Sequence, residues 1–501
     1  MLLTATVFLP LAAAVVVLLL PSRWATHLAT AATAATLVLG VLLWVRLPDD
    51  AGFVAGFGSE VHLRWIPTVD AGYHVGVDGL SIALIVMTGV LFLATAVWSW
   101  RQEVRPRSWV ALFLFLETAS LGTFAALDLI LFFVFFDLTI VAMYFIIAGW
   151  GHGAARSSAL LFFLYTFLGS LAMLVGFIVV FAGSAPRTFD IVELVRQQPL
   201  DDRPGAAAIA LLLIGIGLAV KTPTVPFHTW LPPAHTDAPA EGSAVLAGVL
   251  LKLGTYGFVR IAMPILPEAW QRWAWVVVVV GVVSVVWGAL VALAQRDVKR
   301  MIAYTSVNHM GYVLLGLGAA GLVSAPAAAR ELATTGAVLQ MVSHGLLTGA
   351  LFLLTGYLWD RGRDYRFDRW GGLARSAPRF SVLLVVAALG SLGLPGLSGF
   401  LAEFHVFAGA YEGAPVAVLV SVTGVLVTAG LFLLALQRLL TGDELAPAPP
   451  SGAVAADLSA RPVAVVTGLL ALSVLLGLLA PGPVLDLVSS ASRELISLMG
   501  S

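Results

Sequence analysis

Long apolar segments, each about as long as a membrane helix, recur along the whole chain. A helix needs about 20 mostly apolar residues to cross the hydrocarbon core of a bilayer. By that length the pattern predicts about fourteen spans, so the fold class it indicates is an all-α integral membrane protein. The predicted spans are 2–21, 25–46, 78–99, 109–127, 128–149, 157–183, 206–231, 240–262, 273–294, 300–322, 331–358, 381–412, 415–440 and 460–480.

Two spans, the seventh and the twelfth, are interrupted next to an ionisable residue. In the seventh, Pro223 and Pro226 follow Lys221, and in the twelfth, Pro395 precedes Glu403. Because proline removes a backbone donor and crowds the preceding turn, both helices are predicted to be discontinuous. They lie five spans apart, and this odd offset makes them run in opposite directions across the bilayer.

Such a pair of broken helices is typical of inverted repeats, in which they mark a transport site near mid-membrane. We therefore predict two inverted five-helix repeats, 109–262 (helices 4–8) and 273–440 (helices 9–13). Residues 1–108 would hold helices 1–3 and an outside loop. Residues 441–501 would hold an inside loop, Pro/Ala-rich and flexible at 444–459, and the last helix. Two unrelated proline kinks are the alternative.

Several apolar spans contain ionisable side chains. A charge at the centre of a membrane helix costs about 2.5–3.5 kcal/mol on insertion scales, so such residues are usually functional. Acid–base groups in series suit proton transfer, whereas sodium would need several converging oxygen ligands. We therefore predict a proton pathway formed by Asp137, Lys221, Lys252, His309, His344 and Glu403. The secondary candidates are Glu117, His228 and His235.

Structural roles remain open for some of these residues. Glu117 would then only hydrogen-bond to a neighbouring helix, and His309 and His344 would be satisfied core histidines. Asp137 and Lys221 carry opposite charges, and a pair between them would relieve the burial cost of both. Lys221 is then predicted to load and release a proton, because the adjacent prolines free backbone groups and make room for water.

The composition excludes several other classes of protein. Of the 501 residues, 60% are hydrophobic and 11% are charged, whereas about a quarter are charged in soluble proteins. The chain has no cysteine, which excludes disulfides and thiolate-bound iron–sulfur clusters. Its net charge of −1 provides no basic surface for nucleic acid. Close-spaced metal patterns, Walker loops and nucleophile elbows are absent, so we expect neither a metal site nor a catalytic site.

Lysine and arginine are shared unequally between the two sets of alternate loops. Sixteen of the 27 lie in one set, eight lie in the other set and the termini, and three lie within spans. The positive-inside rule places the first set in the cytoplasm and both termini outside. Two outside loops, 47–77 and 184–205, are expected to hold small structure.

Six stretches give the chain a resemblance to the antiporter-like subunits of the membrane arm of bacterial respiratory complex I, the NADH-quinone oxidoreductase. The resemblance covers nearly the whole chain, and its long central stretch is highly specific. It implies fourteen helices, two inverted repeats, broken helices seven and twelve, and a proton half-channel in each repeat joined by a polar axis. The stretches are YHVGVDGLS (73–81), FFDLTIVAMYF (135–145), AVKTPTVPFHTWLPPAHTDAPAEGSAVLAGVLLKLGTYG (219–257), AQRDVKRMIAYTSVNHMGYV (294–313), MVSHGL (341–346) and LPGLSGFLAEF (394–404).

The resemblance also assigns roles by position. Lys221 is similar to the family's channel lysine, Lys252 to its connecting lysine, and Glu403 to the residue that ends the second half-channel. His309 and His344 match positions along the axis. The family implies that protons move outward across the bacterial plasma (inner) membrane, coupled to quinone reduction in other subunits.

Some positions need separate comment. His228 and His235, just after the break in helix seven, are implied to be channel-adjacent. Asp137 departs from the family, which usually has glutamate there with a following proline. Because aspartate is one methylene shorter, its pair with Lys221 should be looser or the two helices closer. At the position of Glu403, subunit L and the multisubunit cation/proton antiporters tend to have lysine instead. Subunit L also has a long lateral helix, which is not expected here.

The resemblance implies a subunit without a redox site of its own. NADH, FMN, iron–sulfur clusters and quinone are expected in partner subunits, so no cofactor is expected in this chain. The implied partners are other membrane-arm subunits, with the antiporter-like subunits L and N flanking this one, and membrane lipids. A subunit of a multisubunit Na⁺/H⁺ antiporter or membrane-bound hydrogenase, or a non-conducting structural spacer, remains an alternative.

Overall fold

α-Helix dominates the computed structural model, which describes residues 1–445 and 457–500. Two strands, β1 (Gly58–Ile66) and β2 (Ala71–Val77), form the sheet in that part of the chain. The helices are α1 (Leu2–Leu19), α2 (Ala25–Val45), α3 (Gly79–Trp98), α4 (Pro106–Ala125), α5 (Leu129–Trp150), α6 (Ala155–Gly183), α7 (Ile191–Gln197), α8 (Pro204–Lys221), α9 (Leu231–Asp237), α10 (Ala240–Ile265), α11 (Pro267–Leu293), α12 (Val298–Ala320), α13 (Ala327–Gly362), α14 (Leu373–Ser376), α15 (Pro378–Ser391), α16 (Ser398–Tyr411), α17 (Pro415–Leu440), α18 (Ala460–Leu479) and α19 (Gly482–Leu498).

Twelve helices in the described part of the chain are long and apolar enough to cross a membrane, which confirms the predicted fold class. Two predicted spans fall outside this set. The tenth corresponds to α12, in which Asn308 and His309 lower the apolar character, and the twelfth is divided between α15 and α16, of 14 residues each. The number of fourteen spans, the inverted repeats and the domain boundaries remain predictions. Most of the predicted flexible stretch 444–459 lies outside the described residues.

Both predicted helix breaks are confirmed. α8 ends at Lys221, and helix resumes only at Leu231. α15 ends at Ser391, and α16 begins seven residues later at Ser398, after Gly393 and Gly396. These two glycines have φ values of +79° and +101°, a backbone region that glycine enters without the steric penalty of a Cβ. Proline and glycine therefore end each helix inside an apolar segment.

The loop 47–77 contains the hairpin β1–β2, in which the strands run antiparallel. At its end Asp78 caps α3 by accepting hydrogen bonds from the backbone N–H groups of Leu80 and Ser81. Its second carboxylate oxygen accepts a hydrogen bond from Arg260 Nη2 at 2.6 Å. Both side chains are buried, so this ion pair anchors the hairpin to α10. The loop 184–205 holds the short helix α7, so both loops contain small structure.

Helices α10 and α13 occupy the centre of the packing. Both are buried along their whole apolar stretch, whereas most residues in the apolar stretches of α1, α2, α11, α17 and α18 are only partly buried or exposed. Ionisable groups within the spans of a membrane protein usually face the interior of the helix bundle, and α10 and α13 form that interior. In α10, π-helical turns at Leu246–Leu250 and Phe258–Ala262 flank Lys252, and such turns often occur at functional sites.

Candidate functional site

A first polar cluster lies at the break after α8. Lys221 is 1% exposed, and its Nζ donates a hydrogen bond to Thr139 Oγ1 of α5 at 2.8 Å. The ammonium also lies 4.8 Å from the ring centroid of Phe136. Trp230 Nε1 donates to the carbonyl of Val220 at 2.9 Å, which holds the chain beyond the break against the end of α8. The lysine is therefore fixed by a hydroxyl and an aromatic face.

Asp137 and Lys221 interact more loosely than a direct ion pair would. Among the described residues no ion pair within 4.0 Å joins them, although their charges still interact electrostatically. Phe136 and Thr139 are three residues apart in α5, so they share the face that meets Lys221. Asp137 follows Phe136 directly and is turned about 100° around the helix from it. Its Oδ1 is buried without a hydrogen-bond partner.

A second polar cluster lies between the central helices. Lys252 is fully buried, and its Nζ lies 2.6 Å from His344 Nδ1 of α13. The same Nζ donates to the carbonyl of Ala247 at 2.5 Å. Ala247 belongs to the first π-helical turn of α10, which orients its carbonyl toward a side chain five residues further on. The π turn thus positions the lysine toward α13.

The second cluster continues from His344 to Glu403. The rings of His344 and His309 are 5.3 Å apart, centroid to centroid. His309 Nε2 lies 2.9 Å from the carbonyl oxygen of Ser391 and 3.9 Å from Glu403 Oε1. All four predicted residues of this cluster are therefore neighbours, and the break between α15 and α16 contributes to their contacts.

A cavity of about 10 Å³ separates the two histidines and Glu403, which is room for about one water molecule. Gly393 lies against Glu403, since a Cβ at this position would be 2.7 Å from Glu403 Oε2. Nε2 of His344 and Nδ1 of His309 are buried without hydrogen-bond partners in the protein. The series of contacts from Lys252 to Glu403 is therefore interrupted once, between these two ring nitrogens.

The three secondary candidates are not hydrogen-bonded to either cluster in the described part of the chain, although His235 lies close enough to Lys252 and His344 for their charges to interact. Both carboxylate oxygens of Glu117 are buried without a partner, so the alternative of a bond to a neighbouring helix is not seen. His235 stacks on Phe352 at 4.4 Å, and neither of its nitrogens has a partner. His228 Nε2 accepts a hydrogen bond from Trp287 Nε1 at 3.3 Å. No hydrogen bond among the described residues joins these side chains to either cluster.

Sequence reasoning missed several polar residues. Lys299, counted above as a loop charge, is fully buried at the start of α12, and its Nζ donates to the carbonyl of Ala238 at 2.5 Å. Three serines form a chain of hydroxyls beside the cavity: Ser343 and Ser398 are 2.8 Å apart, and Ser398 and Ser473 are 2.7 Å apart. Hydroxyls in apolar helices are too common to stand out in one sequence, so the structure was needed to find them.

Comparison with known proteins extends these observations. The family model described as NADH:quinone oxidoreductase/Mrp antiporter, TM matches residues 126–428. NADH-quinone oxidoreductase subunit M of Rhodobacter capsulatus is 36% identical over 512 residues, covering 99% of this chain and 96% of that protein. F(420)H(2) dehydrogenase subunit M of Methanosarcina mazei is 36% identical over 471 residues, covering 92% and 91%. A chain of respiratory complex I from Thermus thermophilus with bound NADH superposes with a TM-score of 0.88 at 28% identity, over 100% of both chains.

Proposed function

This chain belongs to the NADH:quinone oxidoreductase/Mrp antiporter transmembrane family, and we propose that it works as a proton-translocating subunit of type M in the membrane arm of an NADH:quinone oxidoreductase. The observation that carries the proposal is the line Lys252–His344–His309–Glu403, enclosed in the centre of an apolar helix bundle. Four acid–base groups within reach of one another, or of one water, provide a route for protons. Sodium would need a converging set of oxygen ligands instead.

Hydrogen bonding defines which nitrogen of each histidine carries the proton. The ammonium of Lys252 has donors and no acceptor, so His344 Nδ1 accepts from it and Nε2 carries the hydrogen. The carbonyl of Ser391 only accepts, so His309 Nε2 donates to it and Nδ1 holds the lone pair. In both rings, therefore, the nitrogen on the side of Lys252 is the hydrogen-bond acceptor and the nitrogen on the side of Glu403 is the donor.

A proton can follow this order without rotation of either ring. Lys252 gives a proton to His344 Nδ1, and His344 releases its Nε2 proton to a water in the cavity. The water passes a proton to Nδ1 of His309, and His309 releases its Nε2 proton to Glu403 at 3.9 Å. Each ring must then exchange tautomers before it can carry the next proton in the same direction.

The first cluster, around Lys221, would supply protons to this line of acid–base groups. Lys221 lies at the helix break, held by the hydroxyl of Thr139 rather than by a full ion pair. A bond to a neutral hydroxyl is easier to break than one to a carboxylate. Asp137, close enough to interact but not bonded, would attract the lysine after a small movement of α5 or α8.

The rest of the assignment follows from the family and the charge pattern. The chain would lie in a bacterial inner membrane with both termini outside and with antiporter-like subunits L and N on either side. It would bind no cofactor itself, and NADH, FMN, iron–sulfur clusters and quinone would belong to partner subunits. The arginines of the inside loops and the apolar outer faces of α11 and α17 support this placement in the membrane.

The test uses the assembled complex reconstituted in proteoliposomes, with NADH oxidation and proton uptake measured together. His309→Gln should lower the number of protons moved per electron, because glutamine cannot pass a proton from one ring nitrogen to another. His405→Gln is the matched control: it lies on α16 near Glu403, but its Nδ1 bonds to the carbonyl of Leu401 within the same helix. Equal pumping by His309→Gln and wild type would contradict the proposal and support a structural spacer.

The electron donor needs a separate experiment, because an F(420)H(2) dehydrogenase subunit is as similar to this chain as the NADH-quinone oxidoreductase subunit. The proton line itself makes no contact that would distinguish the two donors. Mild detergent extraction followed by identification of the co-purifying subunits separates them. Recovery of flavin-containing NADH dehydrogenase subunits supports the proposal, and recovery of F(420)H(2) dehydrogenase, hydrogenase or cation antiporter subunits alone contradicts it.

A further inference from the structure

We propose that His62, His74 and Asp190 form a binding site for a zinc-type divalent cation, with Glu60 as its supporting group. The site lies on the hairpin β1–β2 and the loop before α7, away from the proton line and separate from its function. One ligand atom from each of the three residues lies within 4.8 Å of the others.

The hairpin places the two histidines together. His62 of β1 and His74 of β2 are directly paired across the strands, and their rings stack with centroids 4.3 Å apart and planes 6° apart. Asp190 reaches the same point from the start of α7: its Oδ2 lies 2.5 Å from His74 Nδ1 and 3.9 Å from His62 Nε2. Three chain segments therefore converge on one small volume.

The backbone around this point is fixed by further hydrogen bonds. The backbone N–H of Leu127 donates to the carbonyl of His74, and the N–H of Ile191 donates to the carbonyl of Leu127, at 2.9 and 2.8 Å. Gly72 faces His62, and a Cβ there would lie 3.2 Å from its Nε2. The absence of a side chain at Gly72 leaves room for the imidazole in this position.

The donor set and its spacing suit Zn²⁺. Zinc binds imidazole nitrogen and carboxylate oxygen at about 2.0–2.2 Å, so neighbouring donors in a tetrahedron lie about 3.4 Å apart. The 3.9 Å contact must close by about half an ångström and the 2.5 Å contact must open by about one. The stacked rings lie in parallel planes and cannot both direct a nitrogen lone pair at one ion, so the ring of His62 must also rotate out of the stack. The His62 side chain is 54% exposed, which leaves it room for this rotation. Zn²⁺ would replace the proton between His74 and Asp190, which goes to solvent, and water would complete the tetrahedron.

Glu60 gives His74 the orientation that metal ligands usually have. Its Oε1 lies 2.8 Å from His74 Nε2, on the ring edge opposite Asp190. A ligating histidine commonly donates its other N–H to a carboxylate, which fixes the tautomer and raises the basicity of the ligand nitrogen. His74 is buried, and this bond points its Nδ1 at the proposed site. The expectation of no metal site came from close-spaced patterns alone, and these ligands are 12 and 116 residues apart.

The test is a Zn²⁺ titration of the full-length protein in detergent against a chromophoric chelator. Wild type should bind one equivalent that His62→Gln weakens by more than about 100-fold, while loss of the supporting group in Glu60→Gln weakens it by about 10–100-fold. His62 is exposed, so its substitution should leave the fold intact. Zn²⁺ should also raise the unfolding temperature of wild type and not of His62→Gln, because the ion joins three segments only in the folded state.

His27→Gln is the matched control, since His27 is an exposed histidine on α2 whose ring contacts Trp24 and Trp100 rather than carboxylates. Its affinity for Zn²⁺ should equal that of wild type. The proposal is overturned if wild type and His62→Gln bind Zn²⁺ equally, or if His27→Gln loses as much affinity as His62→Gln. Co²⁺ substitution should give the intense visible absorption of a tetrahedral site in wild type, and a weak octahedral spectrum would also overturn it.

Discussion

Nζ of Lys252 lies 2.6 Å from Nδ1 of His344, and this contact joins the two fully enclosed helices α10 and α13. Neither side chain can reach lipid or bulk water, so Lys252 cannot extend its ammonium to the membrane surface as lysines near helix ends do. Its hydrogen bonds to His344 and Ala247 must therefore offset the cost of burial. The same contacts make it either a fixed structural cation or a proton carrier.

Two substitutions of Lys252 distinguish these roles. Lys252→Arg keeps the positive charge and the donors, but arginine does not give up its proton in proteins. If Lys252 is a structural cation, Lys252→Arg should retain proton pumping. If Lys252 is a proton carrier, Lys252→Arg should lose proton pumping. We expect both Lys252→Arg and Lys252→Met to lower proton pumping by at least about tenfold, since loss of an acid–base group typically costs 10²–10⁴-fold. Proton uptake per NADH oxidised in proteoliposomes measures this.

Recovery of pumping in Lys252→Arg but not in Lys252→Met would contradict the carrier role and favour a fixed charge. Assembly of the complex is checked by native electrophoresis, because Lys252→Met leaves His344 without its partner. Arginine is also larger, so the arginine variant is informative only where the complex assembles at wild-type levels.

The hydroxyl of Thr139 is predicted to hold Lys221 in place. Thr139→Val keeps the shape of the side chain but leaves a buried ammonium without its acceptor, which costs about 1–3 kcal/mol or more for a charged group. We expect a lower unfolding temperature and reduced pumping. Thr166→Val is the matched control, because Thr166 is equally buried on α6 but donates only to the carbonyls of Phe162 and Phe163 in its own helix. Similar losses in both variants would contradict a specific role for Thr139.

The sequence predicted the helix breaks and the residues of the second cluster, and the reasons are local. Proline and glycine act on the backbone beside them, so Lys221 and Glu403 could be placed at breaks without knowledge of the packing. A charged residue inside an apolar stretch can likewise be recognised from the sequence without the structure. Lys252, His309 and His344 could therefore be named as candidates before their contacts were known.

Contacts between distant residues could not be predicted in the same way. Lys252 and His344 are 92 residues apart, and their meeting depends on how α10 packs against α13. The distance between Asp137 and Lys221 shows the same limit, because one step along a helix turns a side chain by about 100°. Lys299 was missed since its burial depends on the segments that cover the start of α12.

Gly393 is predicted to be necessary for the position of Glu403. Gly393→Ala adds a Cβ 2.7 Å from Glu403 Oε2 at a residue with φ +79°. Gly396→Ala is the matched control, since Gly396 has φ +101° and nothing within 4 Å of an added Cβ. Both variants should lose about 1–3 kcal/mol of stability from backbone strain. Only Gly393→Ala should also reduce proton pumping, measured at equal amounts of assembled complex, and equal pumping by the two variants would contradict the role of Gly393.

His152, in the loop between α5 and α6, is predicted to make stability depend on pH. Burial, with the positive charges of Lys299 and Arg363, lowers the pKa of His152 to about 4 from 6.5. The ring stacks on Trp359 at 3.7 Å, in a position that suits neutral imidazole. Between about pH 6.5 and 4 the unfolded chain binds a proton that the folded protein does not, so stability falls as the pH falls through this window.

Unfolding temperatures of the detergent-solubilised protein, followed by tryptophan fluorescence between pH 7.5 and 4.5, measure this dependence. His152→Gln removes the titrating group while keeping a side chain that can hydrogen-bond to Tyr365, whose hydroxyl lies 3.3 Å from His152 Nε2. Other titrating groups contribute equally to both proteins, so the difference between the two curves isolates His152. We expect the variant to lose less stability below pH 6.5 than wild type does. Parallel curves would show that His152 takes up its proton as readily in the folded protein as in the unfolded chain.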